Sequence, residues 1–519
     1  MTMSAWLLAV CLSSQVPPPP RPDAAEDAAA ALQSSARSAL ERERQELRAL
    51  ESRVASGAGK DERAAEVVRR LLDTARPEGG ASRFTILPQV VPSQSPKGLA
   101  SIDGGREPWK SDLEKARSRA AAALFELAKK AATGTPPRYA MAAAWLREVL
   151  DRQPDHREAR RLLGYVPHEG GWARPFAIRQ LKDGKVDHPV FGWVPRDWVA
   201  HLDAGELPAP SPRGSRKVRW LPAAEADAMR SEWENRWQIT TEHFDIQSDV
   251  PLGESIEFAR RLEAFYDVFF TLMADAVGDN LPLARRFRSP ALSGESSYRP
   301  HTVYYFANRR EYVEHLRVLT GPEIEQSIGY YNPPRPGKGN RGASYFFRDP
   351  DGRIPVTATL YHESSHQLLF ETAGANACLK NAGNYWFCEG LGTYFETVKP
   401  RPDGSVEVGG LIGERLREAR KLMLAGGFEP LDRFVGMGER EFNRPDRIRE
   451  NYQQAQALAV FLMQAKDLAY REPFLDYVRD AYRGRIRQNT GRSLEDRLGV
   501  PLRQIDAAYR AYLEDAPAR

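Results

Sequence analysis

Two histidines and two glutamates constrain this sequence more than any other feature. His362 and His366 are four residues apart, Glu363 directly follows the first histidine, and Glu389 comes 23 positions after the second. On an α-helix, residues four apart share one face, with Cβ atoms about 5 to 6 Å apart. Both imidazoles can therefore meet at one point only if residues 362–366 are helical.

This residue set predicts a metal site. Two imidazole nitrogens and one carboxylate oxygen are ligands that zinc takes at about 2.0 to 2.2 Å, so His362, His366 and Glu389 are predicted to hold a zinc ion. Glu363 is rotated by about 100° from His362 on a helix. It is therefore expected to face a metal-bound water and to act as a base. The alternative is a helix with two surface histidines, which the apolar residues around the motif disfavour.

The helix under the motif has predictable ends. Thr357 is a typical N-cap residue and Gly374 a typical residue just after a helix. One side of this helix is apolar, through Leu360, Tyr361, Leu368 and Leu369.

A second helix is predicted to carry Glu389. The glycine- and asparagine-rich residues 373–384 can reverse the chain, and a helix beginning near Trp386 can bring Glu389 back over the first helix. Gly390 and Gly392 would allow the two helices to approach closely. Glu396 shares a face with Glu389, and it is either an orienting partner of a ligand histidine or a solvated carboxylate.

Two cysteines flank this second segment. Cys378 and Cys388 could form a disulfide in an oxidising compartment or remain free thiols, and spacing alone does not decide between these. Cys388 is disfavoured as a metal ligand, because it neighbours Glu389 on a helix and points about 100° away from it.

Composition narrows the class of protein. The 519 residues are 42% hydrophobic and 10% aromatic, and 74 basic and 70 acidic residues are interleaved to a net charge of +4. These values are typical of a globular protein of two or three domains and give no electrostatic reason to expect nucleic-acid binding. The basic residues at 335–342 are read as a solvated turn.

The N-terminus predicts export. Residues 5–12 are apolar but fall short of the roughly 20 residues that span a bilayer, so residues 1–16 are predicted to be a signal peptide although no basic residue or Ala-x-Ala site is present. The expected destination is the periplasm, the cell envelope or the medium. Lipoprotein anchoring is not expected, because Val10 is a poor residue before Cys11.

The N-terminal half is predicted to be mainly helical. Residues 17–107 are predicted to be a helical or coiled-coil segment followed by a linker. A long amphipathic helix at 24–54 could form a coiled-coil hairpin with residues 64–72, and the linker at 76–108 includes an apolar piece at 84–91. Residues 108–236 contain helices, a hairpin at 139–165 like one tetratricopeptide repeat, a Trp-rich connector of short strands, and a helix near 223–236. His156 is expected at a helix terminus. The repeat-like hairpin either binds a protein partner or is ordinary packing.

Residues 237–519 are predicted to form an α+β domain with a small sheet beside the active-site helix. Its predicted elements are strands at 242–248, 301–306, 329–331 and 343–347 and helices at 255–276 and 309–319.

Residues 238–515 resemble the gluzincin clan of zinc metallopeptidases, and specifically a bacterial family of peptidase-MA-like domains of unknown function. The motifs that carry the resemblance are Tyr361 to Leu369, Trp386 to Glu396 and Asn451 to Leu458. It implies a zincin-like fold, zinc on His362, His366 and Glu389, and Glu363 as the general base. It also implies that Tyr452 stabilises the oxyanion, with a packed tyrosine as the alternative, and that residues 343–347 form an exposed edge strand for an extended peptide substrate.

The expected function is that of an exported zinc-dependent peptidase, which hydrolyses peptide bonds with a zinc-activated water and Glu363. One alternative is a non-catalytic, zinc-containing scaffold protein that binds a partner through its N-terminal helices. Another is a hydrolase of non-peptide amides, which would use the same chemistry.

Overall fold

The computed structural model has mixed α and β structure, about 63% helical with small sheets and an N-terminal helical region. The predicted α+β class is confirmed. Residues 1–16, Gly374, Cys378 and residues 335–340 of the basic turn lie outside the described part of the chain. The described residues are 22–56, 61–72, 81–92, 108–210, 218–289, 299–334, 341–352, 356–373, 383–411, 413–486 and 490–514. None of the described helices is both long enough and apolar enough to cross a membrane.

Two packed helices begin the described chain, as the apolar spacing predicts. Helix α1 (Pro22–Ser56) contacts helix α2 (Glu62–Leu72). Strands β1 (Ser82–Thr85) and β2 (Val90–Val91) follow within the predicted linker, and helix α3 (Pro108–Thr133) covers the apolar stripe of the α1–α2 hairpin.

The repeat-like hairpin corresponds to helices α4 (Tyr139–Arg152) and α5 (Arg157–Leu162). His156 Nδ1 accepts a hydrogen bond of 3.2 Å from Ala159 N at the start of α5, so its predicted place at a helix terminus is confirmed. A single repeat needs neighbours to bury its faces. Helices α1 and α3 and residues 274–284 supply these neighbours here.

Three successive units of a β-hairpin and a short helix form the Trp-rich connector. Trp172, Trp193 and Trp220 occupy the second strand of the three hairpins. The predicted short strands are confirmed, but the threefold repetition is not evident in the sequence because the hairpin loops differ in length. The units are β3 (Val166–His168), β4 (Gly171–Ala173) and α6 (Pro175–Lys182); β5 (Lys185–His188), β6 (Gly192–Pro195) and α7 (Val199–Asp203); and β7 (Glu206–Pro208), β8 (Trp220–Pro222) and α8 (Ala223–Arg230).

A five-stranded sheet lies between the connector and the histidine helix. Its order is β12-β13-β11-β10-β9, with β10, β11 and β13 parallel and both outer strands antiparallel to their neighbours. The elements of this region are β9 (Trp237–Thr240), β10 (Phe244–Ser248), α9 (Leu252–Leu272), α10 (Ala274–Val277), α11 (Pro282–Arg288), β11 (His301–Phe306), α12 (Arg309–Thr320), β12 (Tyr330–Asn332) and β13 (Ala343–Phe347).

The expectation that residues 343–347 form an edge strand is wrong. They do form a strand, but β13 is paired on both sides, with β11 and with β12. The short segment Tyr330–Asn332 pairs outside it and becomes the edge, so β12 and β9 are the two edges of this sheet.

The remaining chain is mostly helical, as predicted. Thr357 lies inside helix α13 rather than before it, since α13 already includes Val356. Helix α13 packs between the sheet and α14, and α14 packs on α18. These elements are α13 (Val356–Ala373), α14 (Tyr385–Phe395), β14 (Lys399–Pro400), β15 (Ser405–Val408), α15 (Glu414–Leu424), α16 (Leu431–Phe434), α17 (Glu439–Phe442), α18 (Ile448–Leu468), α19 (Arg471–Tyr482), α20 (Thr490–Leu498) and α21 (Leu502–Glu514).

The predicted linker also contributes to the C-terminal half. Strand β1 pairs antiparallel with β15, and Arg83 forms an ion pair with Asp403 beside it. One buried core cluster extends from Phe84 to Leu513 and includes both helices of the histidine and glutamate motifs. A fragment that starts at residue 237 would therefore lose part of this core.

One buried carboxyl in this core should make stability depend on pH. Asp275 on α10 is 1% exposed, and burial raises its pKa to about 7 although Arg138 acts in the opposite direction. In an unfolded chain the pKa of Asp is about 3.9, so between these values the folded state binds one more proton. Because the unfolded state binds fewer protons there, this group's contribution to stability is complete below about pH 4 and is lost as pH rises towards 7.

The Asp275→Asn variant cannot ionise at this position. We expect the free energy of unfolding of Asp275→Asn, relative to wild type, to rise by about 1.4 kcal/mol per pH unit between pH 5 and pH 7 and then to level off. Urea denaturation at pH 5, 6, 7 and 8 measures this difference. Asp183→Asn, at an exposed position, is the matched control. A flat difference for Asp275→Asn would contradict the expectation.

Candidate metal centre

The three predicted ligands meet between helices α13 and α14. Glu389 Oε2 lies 3.2 Å from His362 Nε2 and 3.8 Å from His366 Nε2. Among the described residues these three form one group whose ligand atoms all lie within 4.8 Å of one another. His362 and Glu389 are buried and His366 is partly buried. The structure thus brings together residues from two helices at one point.

Two of the three separations between the donor atoms fit a zinc ion. Two ligand atoms about 2.05 Å from one ion at a tetrahedral angle lie about 3.3 Å apart, close to the measured 3.2 and 3.8 Å. Two nitrogens and one carboxylate oxygen are also a common zinc donor set, with the fourth position left for water or substrate. That these residues bind zinc stays a prediction.

A glycine on α14 makes room for the first histidine. A Cβ atom at Gly392 would lie 2.7 Å from both Cε1 and Nε2 of His362. Gly390 has a different role from the one expected, because a Cβ there would lie 2.9 Å from the carbonyl oxygen of Ala455 on α18. Gly392 therefore allows α14 to approach the histidine helix, whereas Gly390 allows it to approach α18.

His362 is oriented by a carboxylate on its far side. Its Nδ1 donates a hydrogen bond of 3.0 Å to Glu396 Oε1, and the other oxygen of Glu396 accepts hydrogen bonds of 3.1 and 2.8 Å from Arg415. A neutral imidazole has one N–H group, so an N–H at Nδ1 leaves the Nε2 lone pair free for a cation. Of the two interpretations of Glu396, the geometry matches the orienting partner.

His366 has a thiol on its far side. Cys388 Sγ lies 3.6 Å from His366 Nδ1 and 3.7 Å from the Tyr482 hydroxyl. The thiol thus faces Nδ1, while Glu389 faces Nε2. Within the described residues Cys388 is a free cysteine, and the proposed disulfide to Cys378 involves a residue outside them.

The electrostatics of the group favour positive charge. Burial alone lowers the pKa of His362, but hydrogen bonds to Glu389 and Glu396 outweigh burial and raise it to about 9. Burial by itself would raise the pKa of Glu389, but hydrogen bonds from both histidines hold this pKa well below the ordinary value. Without a metal, protons on the imidazoles would neutralise the carboxylates, and a divalent cation would serve the same purpose.

Glu363 lies beside this group and is held by the edge of the sheet. Its Oε2 accepts a hydrogen bond of 2.9 Å from the backbone N–H of Tyr331 on β12. Gly329, just before β12, packs so tightly on the helix that a Cβ there would lie 2.4 Å from Thr359 Cγ2. The direction of the predicted base therefore depends on where β12 lies along α13.

A buried carboxylate on α13 fixes that position. Glu371 accepts hydrogen bonds from His301 Nδ1 at 2.6 Å and from the backbone N–H of Gly342 at 2.9 Å, and the Tyr331 hydroxyl donates to it at 3.5 Å. Arg341 adds a contact of 3.4 Å to the same carboxylate. Glu371 thus links the helix to β11, to β12 and to the residues just before β13.

Two tyrosines lie near Glu389. Tyr452 on α18 and Tyr385 on α14 are both close enough to feel the charge of this carboxylate, and the rings of Tyr452 and His362 are 6.5 Å apart. Burial, with the nearby charge of Glu389, raises the pKa of both phenols far above the ordinary value. Both therefore stay protonated near neutral pH and can donate hydrogen bonds. Tyr452 lies near the predicted metal ligands, and its predicted role stays a prediction.

Sequence reasoning missed several of these partners. Tyr385 carries a usable signal, because it precedes Glu389 by four residues on one helix. Arg415 and Cys388 carry none, since their contacts depend on how separate segments fold together. The same is true of the contact between Tyr331 and Glu363.

Comparison with known proteins gives one family match. The family described as "Protein of unknown function (DUF1570)" matches residues 356–484, a range that contains the predicted metal ligands, Glu363 and Tyr452. No curated protein matches the chain. The matched family agrees with the expected resemblance to a family of unknown function, and its description assigns no activity.

Gly392→Ala should weaken metal binding without unfolding the protein. The added methyl group would overlap the His362 ring and push Nε2 away from the other donors. We expect the affinity for zinc to fall at least about tenfold, like the effect of losing an orienting partner. Competition with a chelating dye measures the affinity.

Gly253→Ala on α9 is the matched control. A Cβ there would make only an ordinary contact of 3.7 Å with Val190, so zinc affinity should stay at the wild-type value. Equal affinities for Gly392→Ala and wild type would show that His362 does not bind the metal in the observed position.

Proposed function

We propose that this chain is an exported zinc-dependent peptidase of the gluzincin type, with His362, His366 and Glu389 as metal ligands and Glu363 as general base. The observation that carries the proposal is the meeting of three suitable donor atoms between two helices, with a separate carboxylate held beside them. The five-stranded sheet next to α13 is consistent with a zincin-like fold, which is part of the proposal.

The chemistry follows from the residues around the site. A bound zinc ion supplies a Lewis acid that polarises a carbonyl group and lowers the pKa of water to about 7. Glu363 would accept the proton of the attacking water and pass it to the leaving amine. The N–H group of Tyr331 keeps one oxygen of Glu363 in place, which leaves the other oxygen free for this proton transfer.

Hydrogen-bond donors for the developing oxyanion are also available. Tyr452 and Tyr385 are protonated and lie near Glu389. Their hydroxyl groups would donate hydrogen bonds to the oxygen of a bound peptide carbonyl as negative charge develops on it. A purely structural zinc site needs neither these donors nor a free carboxylate. Their presence favours the enzyme over a non-catalytic zinc-containing scaffold protein.

The edge of the sheet suggests how a peptide substrate would bind. An extended peptide can add to an exposed edge strand through main-chain hydrogen bonds. In place of residues 343–347, β12 is the edge strand that lies beside Glu363. A peptide or protein substrate paired with β12 would run past the metal site.

Export and partner binding complete the proposal. Residues 1–16 would direct export, and the two remaining cysteines could then be oxidised in that compartment. Binding of a protein partner by the N-terminal helices would use faces other than those that α3 and α4 bury against residues 274–284. The balanced charge gives no reason to add nucleic acid to the partners.

Glu363→Gln should separate metal binding from catalysis. The amide keeps the size of the side chain but cannot accept the proton. In the full-length protein we expect zinc content equal to wild type and peptide cleavage reduced by about 10² to 10⁴. Cleavage of a fluorogenic peptide library and metal analysis by mass spectrometry measure the two quantities.

His362→Ala is the companion variant and should lose both zinc and activity. Zinc bound to wild type and Glu363→Gln, with no peptide cleavage by either, would instead support the non-catalytic scaffold protein. Cleavage of small amides but not of peptides would indicate a non-peptide amide hydrolase. Absence of zinc from all three proteins would refute the metal site.

A further inference from the structure

A groove lies at the edge of the sheet opposite the candidate metal centre. Its volume is about 970 Å³, near the upper end of the range for ligand sites, which is about 300 to 1,000 Å³. Every residue of strand β9 lines it, and the three hairpin–helix units and helix α9 form its walls. We call it the β9 groove.

Among the described residues, no strand pairs with the outer edge of β9, which faces the groove. Strand β9 is the outer strand of the sheet, with β10 as its neighbour. Thr241 N donates to Phe244 O at 2.9 Å in the hairpin that joins these strands. Because pairing alternates along antiparallel strands, Ile239 is the next residue bonded to β10, and the N–H and C=O groups of Gln238 and Thr240 point away from it.

Residues on β9 alternate between core and groove. Trp237 and Ile239 are buried, whereas the side chains of Gln238 and Thr240 are exposed. Each of these two exposed residues offers one backbone donor and one acceptor to a neighbouring strand. An edge of this kind is a template for pairing with another extended chain unless something covers it.

The groove is lined by five Lys or Arg and five Asp or Glu, and within the described residues more of the cations than of the carboxylates lack an ion pair. Three partly buried carboxylates are already paired, Glu242 and Asp267 with Arg174 and Glu263 with His243, and the exposed Asp187 is paired with Arg260. These pairs leave little negative charge for a ligand to meet.

Three cations in the groove have no ion pair within the described residues. Lys185 donates to Gln180, Arg236 donates to Gln247 and lies over Trp233, and Arg230 lies 4.0 Å above the ring of Trp237. Glu234, at the exposed rim, is the one lining carboxylate that has no ion pair within the described residues. The lining therefore complements an anionic ligand.

We propose that the β9 groove binds an extended acidic segment of a partner protein by strand addition. The outward groups of Gln238 and Thr240 pair with the main chain of that segment, which is the usual source of affinity in this mode of recognition. Alternate side chains of the segment point to opposite faces. Acidic side chains meet the three unpaired cations, and apolar ones meet the apolar residues of the groove, which include Phe191, Val194, Leu202 and Ile256.

This site is separate from the proposed catalysis. Helix α13 lies beside β12, and the β9 groove lies at the other edge of the same sheet. Binding at β9 therefore requires neither zinc nor Glu363.

Synthetic peptides test the proposal with the full-length protein. The probe is a fluorescein-labelled nine-residue peptide in which glutamate alternates with valine, and the control peptide has lysine in place of glutamate. We expect fluorescence anisotropy to show at least about tenfold tighter binding of the glutamate peptide, with an affinity that falls as salt rises. A glutamate peptide with N-methyl groups on alternate backbone nitrogens of its pairing edge should bind at least about tenfold more weakly.

Protein variants locate the binding site. Gln238→Pro removes an N–H group that points away from β10, a position where an edge strand tolerates proline, and should weaken binding at least about tenfold. Gln238→Ala is its matched control and should bind as wild type. Lys185→Gln and Arg236→Gln should each weaken the glutamate peptide several-fold and leave zinc content unchanged. Hydrogen exchange at Gln238 and Thr240 should slow when the glutamate peptide is bound.

Several results would overturn the proposal. They are equal affinity for the glutamate and lysine peptides, no binding of either, or wild-type affinity in Gln238→Pro. If Gln238→Pro fails to fold, as judged by its circular dichroism, the N-methylated peptide decides the question, since it leaves the protein unchanged. Binding of the N-methylated peptide as tightly as the parent peptide would exclude strand addition.

Discussion

The contact of one buried carboxylate with two imidazoles is the interaction on which the site depends. Glu389 and His362 are both buried, and a buried carboxylate is costly unless a positive charge compensates it. The surroundings serve that compensation. Glu396, itself held by Arg415, contacts Nδ1 of His362, and Cys388, which also contacts Tyr482, lies on the far side of His366. Gly392 lacks the side chain that would separate the two helices. A divalent cation would complete such an arrangement better than protons, because it would satisfy all three donors at once.

The sheet beside the helix positions the other chemical group. Glu363 receives a hydrogen bond from β12. Glu371, which is also on α13, fixes the position of β12 along this helix. Glu371 is buried and bonded to several elements, so it acts as a fixed point between α13 and the sheet. The two edges of this sheet then offer different surfaces, with β12 next to the metal centre and β9 next to the hairpin–helix units.

Local pattern predicted most of the helices and strands but little of their pairing. Apolar spacing predicts α1 and α2, and short runs of alternating residues predict β10, β11 and β13. The edge position of residues 343–347 was wrong because strand order depends on which other segments pair, and a three-residue strand such as β12 leaves almost no signal in a sequence. The pairing of β1 with β15 joins segments more than 300 residues apart, so no local pattern could indicate it.

The sequence by itself determined the donor set of the site and the helical spacing that brings His362 and His366 together. Residues four apart on a helix lie on the same face, so this interval makes the two histidine side chains neighbours. Tertiary structure alone decided that Arg415 and Cys388 join the site, and which strands lie at the edges of the sheet. These outcomes depend on contacts between distant segments, whose distances and directions arise only when the core packs.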